Sequence, residues 1–137
     1  MSFLLDSNAI IAILGGKPES VRNRWQDRLA AGASVATSSI VMFELRFGAH
    51  KSARRKHNLA RLDRLLASPL NVIAFDAGDA DVAGEIRAAL ERKGQPIGPY
   101  DLLIASQAMR HGSTLVTANT REFHRVKGLN VENWELP

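Results

Sequence analysis

Phe3-Leu4-Leu5-Asp6-Ser7-Asn8 is followed at once by Ala9-Ile10-Ile11-Ala12-Ile13-Leu14. A short apolar run ends in an acid, a hydroxyl and an amide, and a second apolar run begins. This pattern describes a buried strand that delivers a carboxylate at its C-terminal end and turns straight into a helix. In open parallel α/β sheets that end of the strands is where ligands bind. Asp6 therefore has two readings: the N-cap of the following helix, or the first member of a metal-binding carboxylate cluster.

Outward from this stretch, strands and helices alternate. Gly15-Gly16-Lys17-Pro18 breaks the first helix. Residues 19–31 form an amphipathic helix with Val21, Trp25 and Leu29 on one face. Residues 34–36 read as a second strand, after which Thr37-Ser38-Ser39 supplies N-cap chemistry. The helix over 40–50 is apolar nearly all round and is expected to be buried on more than one side. A basic helix over 52–67 follows, then a third strand at 72–74. Asp76 and Asp79 open a helix that runs to Lys93, and residues 94–99 form a loop. A helix over 100–110, a fourth strand at 114–117, a polar loop through Glu122 and an edge strand at 130–132 complete the chain. Such alternation predicts a three-layer α/β/α domain with a mainly parallel central sheet. The 137 residues fit one domain, 1–137.

The composition narrows the function classes. No cysteine is present, which removes disulfides and thiolate zinc sites and fits a reducing cytoplasm, the expected location. No apolar run approaches the roughly 20 residues of a membrane span. The N-terminus lacks a basic region ahead of its apolar stretch, so a first strand rather than a signal peptide is expected there. The net charge of +4 favours polyanionic partners. Arg46, Lys51, Arg54, Arg55, Lys56, Arg61 and Arg64 crowd a region in which Asp63 is the only acid. That region is either a solvated helix face or a surface that tracks a nucleic-acid backbone.

Two further acids stand out. Glu44 lies inside the nearly all-apolar helix, where an isolated carboxylate needs a partner or a cation. Asp101 opens a helix that continues Leu102-Leu103-Ile104-Ala105. Asn119 follows the fourth strand, with Glu122 shortly after it. Each has an ordinary alternative: a surface Glu paired with Arg46 or Lys51, a helix-dipole acid, a turn residue. Taken together they describe oxygen-only chemistry. Clustered carboxylates repel one another and a hard divalent cation relieves the repulsion, which suits Mg²⁺ or Mn²⁺ rather than zinc. The four histidines share no short ligand spacing, and there is no phosphate-binding GxxxxGK[ST] loop. A haloacid-dehalogenase-type phosphatase would want a second acid where Asn8 stands.

The chain resembles the PIN-domain nucleases, and among them the VapC-type toxins of bacterial toxin–antitoxin pairs. The resemblance lies in Leu4-Leu5-Asp6-Ser7-Asn8, Ser38-Ser39-Ile40-Val41-Met42-Phe43-Glu44-Leu45, Ile97-Gly98-Pro99-Tyr100-Asp101-Leu102, Leu115-Val116-Thr117-Ala118-Asn119-Thr120-Arg121-Glu122-Phe123 and the closing Glu132-Asn133-Trp134, in order along the whole chain. It implies that Asp6, Glu44 and Asp101 gather at the sheet edge and hold Mg²⁺ or Mn²⁺. It places Asn119 where relatives often carry another acid, with Glu122 beside it. Ser7 stands where Thr is common. Ser7, Asn8, Thr37, Ser39 and Thr117 are expected to orient the carboxylates or the water on the metal. The implied activity is cleavage of RNA, with tRNA and initiator tRNA favoured, which arrests translation. The implied partners are a VapB-type antitoxin, a second copy of the chain in a homodimer, and operator DNA reached through the antitoxin. A cationic rim of Arg46, Arg54, Arg55 and Lys56, with Arg121 and Arg125 on the opposite lip, is expected to meet the RNA. Phe43, Phe47, Leu62 and Leu65 are either a landing surface for the antitoxin or, for most of these side chains, part of the core. A PIN-fold module that binds nucleic acid with little turnover is the alternative, because Asn119 is neutral.

Overall fold

Phe3, Leu4 and Leu5 are each at most 1% exposed. Successive strand residues face opposite sides of a sheet, so three buried neighbours require cover on both faces. The computed structural model, which describes residues 1–136, supplies that cover. In order the elements are β1 (Ser2–Leu5), α1 (Ser7–Gly15), α2 (Glu19–Ala30), β2 (Ser34–Ser38), α3 (Ser39–Lys51), α4 (Arg55–Leu66), β3 (Asn71–Ile73), α5 (Ala77–Arg92), α6 (Pro99–Arg110), β4 (Thr114–Val116), α7 (Thr120–Phe123) and β5 (Val131–Glu132).

The five strands lie in the order β3-β2-β1-β4-β5. Every pairing is parallel, so the sheet is wholly rather than mainly parallel. From the central β1 the chain first builds β2 and β3 on one side, then crosses to build β4 and β5 on the other. The order therefore reverses between β1 and β4, and a crevice at the C-terminal ends of those strands follows from the topology. Leu5 pairs with Thr37 on one side and Val116 on the other, so Asp6 leaves the sheet at this crevice.

Helix starts follow the expected cap chemistry. The Asp6 side chain accepts from Ala9 N–H and caps α1, Ser38 caps α3, and Asp76 and Asp79 form a reciprocal capping box on α5. Phe3 packs on Trp134 at 5.4 Å between ring centroids, with the Arg28 guanidinium 5.0 Å from the Phe3 ring. On α5, Asp79 is fully buried and meets Arg110 Nη1 of α6 at 3.2 Å, while the same nitrogen reaches Asp76 at 2.6 Å. Buried Gln107 accepts from the Ser38 hydroxyl and donates to the Ile73 carbonyl at 3.3 Å. These bonds fix α6, and hence Asp101 near its start, against the ends of β2 and β3.

Three expectations are corrected. β2 extends through Thr37-Ser38, because both residues pair with β3. The polar stretch after β4 contains the short helix α7. Most consequentially, α3 is not buried on several sides: Phe43 is 53% and Phe47 59% exposed, whereas Leu62 and Leu65 are buried. These four side chains therefore do not form one surface. No helix among the described residues is long and apolar enough to cross a membrane.

Candidate active site

Asp6 is buried at the end of β1. Its backbone N–H continues the sheet by donating to the Val116 carbonyl at 3.1 Å. Its carboxylate accepts from Ala9 N–H at 2.9 Å and has the Thr117 hydroxyl beside it. The cap and cluster readings are thus compatible, since one carboxylate has room for both. Burial pushes the Asp6 carboxyl above the usual range against the pull of the Thr117 hydroxyl and the Ala9 N–H, and the charges of Glu135 and Glu44 add to the rise.

Glu44 is half-buried on α3 and accepts a hydrogen bond from the Ser7 hydroxyl at 2.8 Å. The residue after Asp6 therefore steers the second acid. Asp101 lies in the first turn of α6, where burial first, then the charges of Glu122, Asp6 and Glu44, push its carboxyl up to about 6. All three other acids are thus close enough for Asp101 to feel their charge. Three segments far apart in sequence thus bring an acid near it.

Glu122 differs in kind. One carboxylate oxygen accepts from Gly98 N–H at 2.8 Å and the other from the Asn119 side-chain amide at 2.7 Å. These bonds hold its carboxyl below the usual range, in the charged form. Asn119 N–H in turn donates to Thr117 Oγ1 at 3.0 Å. A continuous chain of contacts runs from Asp6 through Thr117 and Asn119 to Glu122. Gly98 closes the ring: a Cβ there would lie 3.4 Å from Asp101 Oδ2 and 3.8 Å from Glu122 Oε1.

The donor set is entirely oxygen, and two of its carboxyls are raised by burial and like charge, which a hard divalent cation would relieve. Among the described residues no three acidic or histidine side chains close tightly enough to enclose a metal by themselves. A divalent cation held here would take one or two carboxylates and fill its remaining positions with water and substrate phosphate.

Other expected residues divide. Asn8 is exposed in the first turn of α1. Thr37 donates its hydroxyl to the Leu5 carbonyl at 2.8 Å, and Ser39 Oγ accepts from Phe75 N–H at 3.0 Å. Both of these bonds are to backbone groups, one across the β1–β2 pair and one from the loop after β3. Arg46 pairs with Asp63 at 2.8 Å, and Arg125 donates to the Pro96 carbonyl at 2.8 Å. Arg54, Arg55, Lys56 and Arg121 are exposed. Arg61 donates to the Leu14 carbonyl at the end of α1.

Sequence reasoning missed Gly98 N–H as a ligand of Glu122, and it missed Glu135 near Asp6. Neither carries a local signal, because a backbone donor has no residue type and Glu135 reaches the site only through the C-terminal turn. It also missed an apolar groove of about 320 Å³ between α1, α3 and α4, lined by Ile11, Leu14, Leu45, Gly48 and Leu62 and reaching Glu44.

Comparison with known proteins agrees with this geometry. The PIN domain family model matches residues 3–129. The tRNA(fMet)-specific endonuclease VapC of Shigella flexneri is 42% identical over 134 residues, covering 98% of each chain. Ribonuclease VapC2 of Rickettsia felis is 42% identical over 135 residues, covering 98% of this chain and 99% of its own. Among solved structures, VapBC2 from Rickettsia felis bound to a DNA fragment from its promoter superposes with a TM-score of 0.91 at 40% identity, covering 98% of this chain and 99% of that one.

Proposed function

Because the chain belongs to the PIN-domain family, and within it to the VapC ribonucleases, we propose that it is the toxin of a toxin–antitoxin pair and a divalent-metal-dependent endoribonuclease, with Mg²⁺ or Mn²⁺ as the ion. The convergence of Asp6, Glu44 and Glu122 on Asp101 carries this reading.

In this reading Asp6 and Asp101 hold the cation and Glu44 completes the acidic wall. The bound ion supplies an activated water and neutralises charge on the phosphoryl group. Ser7 and Thr117 fix the Glu44 and Asp6 carboxylates, so that these do not reorganise when substrate arrives. Asn119 acts as a positioning residue: with Gly98 N–H it holds Glu122 charged at the mouth of the site. The exposed Arg54, Arg55, Lys56 and Arg121 draw in RNA phosphates that the acids alone would repel.

The names of the relatives favour tRNA, and initiator tRNA within it, as the substrate, so that cleavage stops translation. The VapBC neighbours favour a VapB-type antitoxin whose apolar segment covers the groove between α1, α3 and α4 beside Glu44. That complex binds operator DNA through the antitoxin, and the toxin pairs with a second copy. Residues 1–137 act as one unit in the cytoplasm. A PIN-fold binding module with little turnover is the second reading, favoured by the neutral Asn119 beside the acids.

The deciding experiment incubates the protein with total tRNA and Mg²⁺, with and without EDTA, beside Asp101→Asn. Cleavage by wild type alone, abolished by EDTA, is expected. Equal cleavage by the variant, or indifference to EDTA, refutes the metal mechanism.

A further inference from the structure

Tyr100 immediately precedes Asp101 and Phe43 immediately precedes Glu44. Their rings meet edge to face across α3 and α6, with centroids 5.7 Å apart and planes at 62°. Both stay open to water, at 45% and 53% exposure, although each sits beside a half-buried acid. One turn along α3, Phe47 is 59% exposed, and one turn further the Lys51 ammonium lies 5.7 Å from the Phe47 ring. The strip begins at the acids, presents three aromatic rings and ends on a cation. From Phe43 to Lys51 it spans about 12 Å of helix axis.

We propose that Tyr100, Phe43 and Phe47 form a stacking path for unpaired RNA bases leading out of the acidic site, with Lys51 taking a phosphate at its far end. The proposal rests on the nuclease reading and adds how the strand is held. An edge-to-face pair leaves ring faces free, and every base offers a π-face to them. About 12 Å accommodates three or four bases at roughly 3.4 Å spacing. A purely apolar protein face would bury the Lys51 ammonium without a charged partner. A nucleic-acid strand alternates π-surface with negative charge and matches both ends of the strip. Bases locked in a duplex cannot reach the rings, so the path selects single-stranded segments such as loops.

The test uses the full chain in EDTA, where cleavage cannot run. A single-stranded RNA oligonucleotide carrying 2-aminopurine, and the same sequence as a duplex, are titrated with wild type, Phe43→Leu, Phe43→Tyr and Phe47→Leu. Stacking predicts quenching of 2-aminopurine by wild type. Single-strand Kd should rise about tenfold in each Leu variant, stay near wild type in Phe43→Tyr, and leave duplex binding unchanged. Leu variants that bind and quench like wild type overturn the proposal, because they keep apolar bulk and lose only the ring. So does a Phe43→Glu variant that sediments as a monomer where wild type is a dimer, since a second copy would then cover the strip. Quenching of the oligonucleotide by wild type that cuts no total tRNA on adding Mg²⁺ would refute the nuclease reading and leave the path standing. Cleavage without quenching would do the reverse.

Discussion

The Asn119 side-chain amide donates to Glu122 Oε2 at 2.7 Å, so the neutral residue after β4 serves the acid three positions on as a clamp. The other oxygen of Glu122 is held by Gly98 N–H, at the start of the helix that carries Asp101. Removing the clamp with Asn119→Ala leaves Glu122 on one bond. The cation concentration giving half-maximal cleavage should then rise about 10- to 100-fold, the range for groups that orient metal-site residues. A metal titration of cleavage rate measures it. An unchanged midpoint would mean that Gly98 N–H alone fixes Glu122.

Ser7 and Glu44 form the second positioning contact, at 2.8 Å. Ser7→Ala should lower cleavage about 10- to 100-fold. Its effect on stability should be small, on the order of 1 kcal/mol for one part-exposed hydrogen bond. Ser7→Thr keeps the hydroxyl and should restore most of the rate. Loss of rate in Thr as well as Ala would point to crowding at α1 instead.

Asp101 sets the pH dependence. Its carboxyl stands at about 6 in the folded chain, through burial and then the charges of Glu122, Asp6 and Glu44, against roughly 3.9 for an unfolded Asp. The folded state therefore binds more protons, and metal-free stability falls as pH rises from about 4 to about 6. Asp101→Asn should flatten that part of the melting-temperature profile. Adding Mg²⁺ should stabilise wild type most above about pH 6, where the acids are charged. A wild-type profile flat over that window would contradict the crowding of the four acids.

Gly78 and Arg110 give a prediction that changes sign. A Cβ on Gly78 would lie 2.3 Å from Arg110 Cζ, so the guanidinium rests directly on the α5 backbone while it pairs with Asp76 and buried Asp79. Gly78→Ala displaces it from Asp76 and buried Asp79 and should lower the denaturant midpoint. In an Arg110→Ala background the obstacle is gone. The same substitution should then stabilise by about 0.5–1 kcal/mol through helix propensity. Denaturant midpoints for the four proteins of the cycle decide it. Additive effects would show that the contact does not govern the position of Arg110.

The sequence by itself determined the order of elements and the placement of the acids along them. An apolar run ending in Asp6 specifies a strand end and a cap at once, because hydrophobic period and N-cap chemistry are both local. Capping residues likewise announced the starts of α3 and α5. Only the tertiary structure decided which hydroxyls serve the acids. The Ser7 hydroxyl donates to Glu44, while Thr37 donates to the carbonyl of its strand partner Leu5 and Ser39 accepts from Phe75 N–H, and packing between elements rather than residue type draws that line. The same holds for Phe43 and Phe47. Their composition reads as core, and they lie exposed because α3 turns only Val41, Met42 and Ala49 fully inward. Asn119 is the clearest instance. Local sequence offers its amide as turn, ligand or donor, and the packing of α7 beside the start of α6 selects the donor.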